Sequence, residues 1–520
     1  DKHMLSKSEL ELVLNSGGSV QKARIQRLTR SQDENDRHYS AELLLHSQGT
    51  ENNSFLIELL SDSIPRVRLA AIKTAIKKFD SEVINALIEN LANPVFTNAA
   101  MNALIVIGEP ALSLLDNAFY RTGQNPTTML RLVQIIGSIG NARAKEMLWN
   151  KIDYPDKVVV SQVLLALGKS GFKAGMSQVS RIKFAIEADI ADISWNLGAI
   201  QEIGSDENSA IVRRALTREI QNDIDHIYML LAMLYETRSI QLVKENIESG
   251  TAEGVTYAIE LLDVFLSEQL KQRVIPVLDD LSNAEKLNRL EVFYPRVQLD
   301  EKLVLKFLIN REFTQSNRWT KAAVLHLIGV QKIEEFSLDL IAQLFNPDPL
   351  IRQTAAWALY EINPETYSSN VSRLGTEIRR DLDATIVPKG KRKILLYDMV
   401  IFFQQASLFE GVSGLTLSYL ADMTDTITIS KDQVILVDER ISNEFYIVFS
   451  GKVEYFQKGE LLATYEAPQF IGEYVNLAGF VNSNRIKATE NSVLLKFNKD
   501  RFYELLAEHV RLANKVLEYI

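Results

Sequence analysis

The chain has 520 residues, with 57 Lys and Arg against 67 Asp and Glu, a formal net charge of −10 and no Cys. Hydrophobic residues make up 46% and charged residues 24%, the mix of a folded globular protein, and the length exceeds what one compact core usually holds. The acidic balance argues against a general nucleic-acid binder, and the lack of Cys excludes disulfides, thiolate zinc sites and cysteine nucleophiles.

The first four residues, Asp1-Lys2-His3-Met4, read as vector-derived sequence ahead of an introduced Met and are set apart from the fold. From residue 5 to 387 the pattern is helical. Ser63–Phe79, Val95–Gly108, Thr127–Gly140 and Val158–Gly171 share one design, and their ends recur at a spacing of about thirty residues. Second amphipathic helices, Glu82–Leu91 and Pro110–Phe119, lie between them. Asn, Asp or Pro opens these helices, where side-chain acceptors and a preset φ serve the free N–H groups. Gly closes several, where a left-handed residue caps the last carbonyls. One such pair is too apolar on one side to stand alone, so the period predicts a stacked solenoid. His226–Tyr235 is the most apolar run, and at about half the ~18 residues a membrane span needs it reads as a buried helix.

The pattern returns at Asn346–Leu359. There Pro349, Arg352 and the pair Ala355-Ala356 repeat Pro65, Arg68 and Ala70-Ala71. This resembles HEAT repeats, and the resemblance implies that Arg68 and Arg352 are structural ladder positions. The region 172–340 is read as helical with longer units. Within it Thr251–Asp280 resembles HEAT regions of bacterial membrane proteins, some fused to ADP/ATP-carrier-type nucleotide transporters.

Pro388 and Gly390 mark a linker, 388–393, whose basic run Lys389-Gly390-Lys391-Arg392-Lys393 reads as a solvated connection and a hinge candidate. Residues 394–520 then turn strand-like. Thr426–Ser430, Val434–Val437, Glu444–Phe449, Lys452–Phe456, Leu461–Tyr465 and Ser492–Phe497 are short, β-branched or aromatic, and separated by turns. A closing helix is expected over Lys499–Ile520. The fold class is thus mostly α, an α-α superhelix followed by an antiparallel β-roll with flanking helices.

The order of these elements resembles the cyclic-nucleotide-binding domain. The likeness is carried by Leu408-Phe409-Glu410-Gly411, by Tyr446 to Val453, by Ile471-Gly472-Glu473, and by Arg485 with Ala488-Thr489. It implies that Glu473, after Gly472, accepts from a ribose hydroxyl and that an Arg neutralises the cyclic phosphate of cAMP or cGMP. The family's Arg stands three residues before the Thr, where this chain has Ile486, and Arg485 is one position earlier. On a strand that offset turns a side chain to the other face. Turn glycines of the family are also replaced, in 438–445 and at Pro468. Three readings stay open: a degenerate roll used for contacts, a cyclic-nucleotide site, or a site for another anion. Phe502, Tyr503 or Leu506 would be lid residues, or would simply pack the last helix on the roll.

No catalytic constellation is found. Gly168-Lys169-Ser170 lacks the earlier Gly of a phosphate-binding loop, since Val163 stands there. The six His residues show no metal-ligand spacing, and His226 and His326 read as core or groove residues. The expectation is a non-enzymatic regulatory or scaffold region. It would bind a protein partner along the solenoid and no nucleic acid, with the roll as a cyclic-nucleotide sensor, degenerate or not. Its expected setting is cytoplasmic, tethered to the inner membrane through an upstream membrane domain of a nucleotide-carrier-type transporter. The alternatives are a stand-alone cyclic-nucleotide-responsive adaptor and a HEAT-type lyase. A cyclic-nucleotide-controlled transcription factor is disfavoured, because no helix-turn-helix follows the roll within this sequence.

Overall fold

The structure, a computed structural model, describes residues 18–47, 51–313, 315–386, 393–438, 444–457, 459–471, 483–508 and 512–513. It is mostly helical, with antiparallel strands confined to the C-terminal part. The chain divides into two compact units, Asp1–Ala185 with Tyr228–Gln241, and Ile186–Ile227 with Leu242–Ile520.

In the first unit the repeat chemistry is visible helix by helix. Pro65–Ala75, Pro94–Ile107 and Pro126–Ile139 each start on a Pro in the first turn. Asp80 caps Ser81–Asn90 by accepting from the Glu82 and Val83 amides at 3.0 and 2.9 Å. Gly140 closes Pro126–Ile139 at φ 61°, a left-handed position that suits Gly. Ala71, Ala75, Ala100 and Ala103 are fully buried, so adjacent helices approach closely. Arg68 lies along the Phe96 ring, 4.5 Å from its centroid, and donates at 2.7 Å to the Leu60 carbonyl, which also accepts from Asn90. One carbonyl at a helix end thus ties two successive helices, a backbone contact where the resemblance implied a ladder position. Arg352 likewise donates to the Asn346 carbonyl at 2.8 Å, just beyond helix Ser337–Gln343.

The second unit holds further helix pairs and the roll. Thr251 caps helix Ala252–Phe265, followed by Glu268–Leu278. Among the described residues the roll has eight strands: β1 (Thr424–Ile429), β2 (Val434–Asp438), β3 (Glu444–Ser450), β4 (Lys452–Gln457), β5 (Glu460–Glu466), β6 (Phe470–Ile471), β7 (Ser483–Ala488) and β8 (Ser492–Asn498). They form two four-stranded antiparallel sheets, ordered β1-β8-β3-β6 and β2-β7-β4-β5. Six of these strands match the sequence expectation to within two residues at each end. β6 and β7 were not read as separate strands. Gly451, at φ 85°, joins β3 to β4 where an added Cβ would lie 2.4 Å from the Ser492 hydroxyl, so only Gly fits. The closing helix is described over Lys499–Glu508. Among the described residues no single helix is long and apolar enough to cross a membrane.

Candidate functional site

The roll interior is a compact apolar core of Ile429, Tyr446, Val448, Val453, Tyr455, Ile471, Ile486, Ala488 and Leu494. β7 supplies two of these. Ile486 is 1% exposed and opposes Ile435 and Tyr455, and Ala488 is fully buried opposite Val453. Strand alternation sends Arg485 the other way. It opposes Leu436 and Phe456 and its side chain is exposed. Thr489 follows the strand with both its amide and its hydroxyl donating to the Lys452 carbonyl, each at 3.0 Å. The one-residue offset noticed in the sequence is therefore a change of face. Ile486 fills the interior position that the family resemblance assigns to a cation.

The central strands of the β1-β8-β3-β6 sheet, β8 and β3, send side chains into a core on each side. Tyr446, Val448 and Leu494 face the roll interior, while the alternate residues Ile447, Leu495 and Phe497 enter a second core. That core also contains helix Leu396–Gln405, helix Gly414–Asp422 and the last repeat helices, Arg318–Gln331 and Pro349–Ile362. Phe403 meets Phe497 at 5.8 Å between ring centroids, and Phe402 meets Phe449 at 4.8 Å. Phe502 is buried beside Phe497 at 6.4 Å and Tyr503 is exposed, so Phe502 packs the closing helix onto the roll.

Charge fixes this seam as well. Arg318, at the start of its helix, bonds Asp348 at 2.7 Å and forks onto Asp422. Asp348 is itself the N-cap of Pro349–Ile362. Burial of the Arg318 guanidinium pulls it down, but Asp422 and Asp348 outweigh that and hold it above its ordinary value. Beside the fork, Trp319 stacks on Tyr397 at 5.2 Å, and His326 lies between Tyr397 and Trp357 at 4.0 and 4.5 Å. Burial lowers the His326 imidazole to about 4, so it is neutral at pH 7. Gly414 opens its helix directly against Trp319, where a Cβ would lie 2.2 Å from the indole nitrogen.

Comparison with known proteins fits this architecture. Residues 426–509 match the model of the cyclic nucleotide-binding domain, and residues 22–107 match the model of HEAT repeats. The chain carries both modules. Curated proteins returned no match. Among solved structures, the sensor domain of the transcriptional regulator DNR from Pseudomonas aeruginosa is 19% identical, over 24% of this chain and 87% of that one, with a TM-score of 0.22. The catabolite activator protein of Thermus thermophilus is 20% identical over 22% and 56% of the two chains, with a TM-score of 0.20. A cyclic nucleotide-binding domain from Methylobacillus flagellatus is 23% identical over 24% and 71%, with a TM-score of 0.21.

Of the residues expected at the ligand site of this domain, Gly472 and Glu473 lie outside the described residues. Arg485, Ala488 and Thr489 share β7 and its end but not one face. The hinge candidate is described only at Lys393, whose amide donates to the Ala384 carbonyl and whose ammonium bonds Asp381 at 2.8 Å. Sequence reading missed Arg318, Asp348 and Asp422 altogether. Arg318 stands 30 residues from Asp348 and 104 from Asp422, so no local motif links them.

Proposed function

We propose that this chain is a non-enzymatic regulatory scaffold. Its helical repeats hold a protein partner, and its cyclic nucleotide-binding domain is a degenerate module that anchors the end of the repeats. The observation that carries this reading is the alternation on β3 and β8, which puts Ile447, Leu495 and Phe497 into one core with the last repeat helices. A domain joined in this way reports any change in itself to the repeats, and it stabilises them when it senses nothing. Ile486, buried where the family resemblance expects a cation, favours the second role. Solvent-facing Leu303, Phe307 and Leu338 on two repeat helices favour a protein partner.

Calorimetric titration of the whole chain with cAMP and cGMP tests this. Silence at millimolar nucleotide is expected. Micromolar binding that Glu473→Ala abolishes would overturn the degenerate reading and make the domain a sensor. Ile486→Arg sharpens the point by restoring the family's pattern. It should destabilise the ligand-free roll by a few kcal/mol, as a charge buried without a partner does, and cyclic nucleotide should recover part of that loss.

The resemblance at Thr251–Asp280 supports a setting as the cytoplasmic region of a bacterial membrane transporter of the nucleotide-carrier type. The reading frame ahead of Met4 tests it, since such a protein would encode hydrophobic spans there. A stand-alone adaptor is the outcome if none is present.

A further inference from the structure

Helices Val179–Glu202 and Glu207–Leu234 bring three ligand-type side chains together inside the second unit. Asp223 and His226 stand three residues apart on one helix, a spacing that puts both on one face. Asp189 joins them from the other helix. Their ligand atoms all lie within 4.8 Å of one another, and the Asp189 carboxylate is 3.9 Å from His226 Nδ1. Asp223 is fully buried, His226 is 3% exposed, and the Asp189 side chain is 13% exposed.

We propose that Asp189, Asp223 and His226 form a site for one divalent transition-metal ion of the zinc type. One imidazole with two carboxylates is a donor set that such ions accept, at ~2.0–2.2 Å per bond. An Asp-x-x-His pair on one helix with a carboxylate from its neighbour also follows the logic of inward-facing metal sites between packed helices. Small rotamer shifts close the present separations to bonding distance, and water completes the shell.

The surroundings favour a cation. Asp192 is engaged by Arg311 at 3.0 Å, and Glu219 accepts from the Asn317 amide at 2.9 Å and the Thr320 hydroxyl at 2.6 Å. Asp192, Glu219 and Asp223 all act on the Arg311 guanidinium, and Glu219 also acts on Lys321. Buried carboxylates at this density need paired or coordinated positive charge. The ion would pin the two helices to each other, a structural role rather than a catalytic one.

The test uses the whole chain, stripped with chelator and then titrated with Co2+ and Zn2+. About one Co2+ per chain should bind with visible d–d absorption, and Zn2+ should displace it and raise the melting temperature. His226→Gln and Asp223→Asn should each weaken binding by at least ~100-fold, more than the loss of an outer hydrogen-bond partner costs. Should either buried variant fail to fold, Asp189→Asn at the least buried corner decides, and the same loss is expected of it. A wild-type chain that takes up neither ion at ~100 μM would overturn the proposal, as would binding that is equally tight in folded variants.

Discussion

The two sheets of the roll differ in what covers them, and the difference separates stability from recognition. β1-β8-β3-β6 is buried on both faces along its central strands, with Leu494 in the roll interior and Leu495 in the core shared with the helices. β2-β7-β4-β5 turns one face to solvent, where Arg485 and the half-exposed Leu461 and Leu462 stand. The first sheet therefore binds the domain to the repeats, while the second carries the strand of the candidate site. Changes on the first should be felt in the helices, and changes on the second should stay local.

The largest expected effect breaks the seam of the first sheet. Arg318→Ala leaves Asp348 and Asp422 without their buried cation, while 18% and 30% of their side chains keep contact with solvent. The loss should therefore be about 2–3 kcal/mol, below that of a fully buried ionic cluster. Chemical denaturation should show that loss, and hydrogen exchange should rise together in Arg318–Gln331 and Gly414–Asp422. Exchange confined to the first of these helices would mean that the fork does not hold the roll.

This contrast also shows what a sequence can disclose. The repeats were legible because their signals are local, with Pro in the first turn, Asp or Asn at the cap and Gly at the close, all within one helix. Six strands were legible through runs of β-branched and aromatic residues. β7 was not, because Ser483–Ala488 offers only Ile486 and Ala488 as apolar positions and reads as a polar loop. The exposed placement of Arg485 could be anticipated from the period of a strand, since one residue changes the face. Glu473 was legible as a family motif only. The Arg318 fork and the Asp189–Asp223–His226 cluster were invisible for one shared reason: each gathers residues from different helices. His226 read as a core histidine, and its neighbours appear only when the two long helices pack.

A second effect, of middle size, concerns pH at the same seam. His326 is held neutral between Trp357 and Tyr397, with its imidazole lowered from 6.5 to about 4. The unfolded chain therefore takes up a proton at this residue before the folded one does. Stability should fall as pH drops below ~6.5 and level off for this group near 4, with a loss of about 2 kcal/mol between pH 7 and 5. Denaturation midpoints across that window check the prediction against His326→Phe, which should remove most of the slope. An unchanged slope would assign the acid sensitivity to carboxylates elsewhere.

The smallest expected effect is on the exposed sheet. Arg485→Ala removes a side chain that faces solvent from β7, so stability should move by no more than ~0.5 kcal/mol. Helix exchange rates should be untouched, in contrast to Arg318→Ala. The same variant also tests the face assignment. If nucleotide binding is measurable in the parent chain and Arg485→Ala weakens it tenfold or more, the side chain reaches the phosphate from the outer face and the two sheets are not divided as described. If affinity holds while Ile486→Arg strengthens it, the missing cation belongs inside the roll, and a single position on β7 separates an anchoring domain from a sensing one.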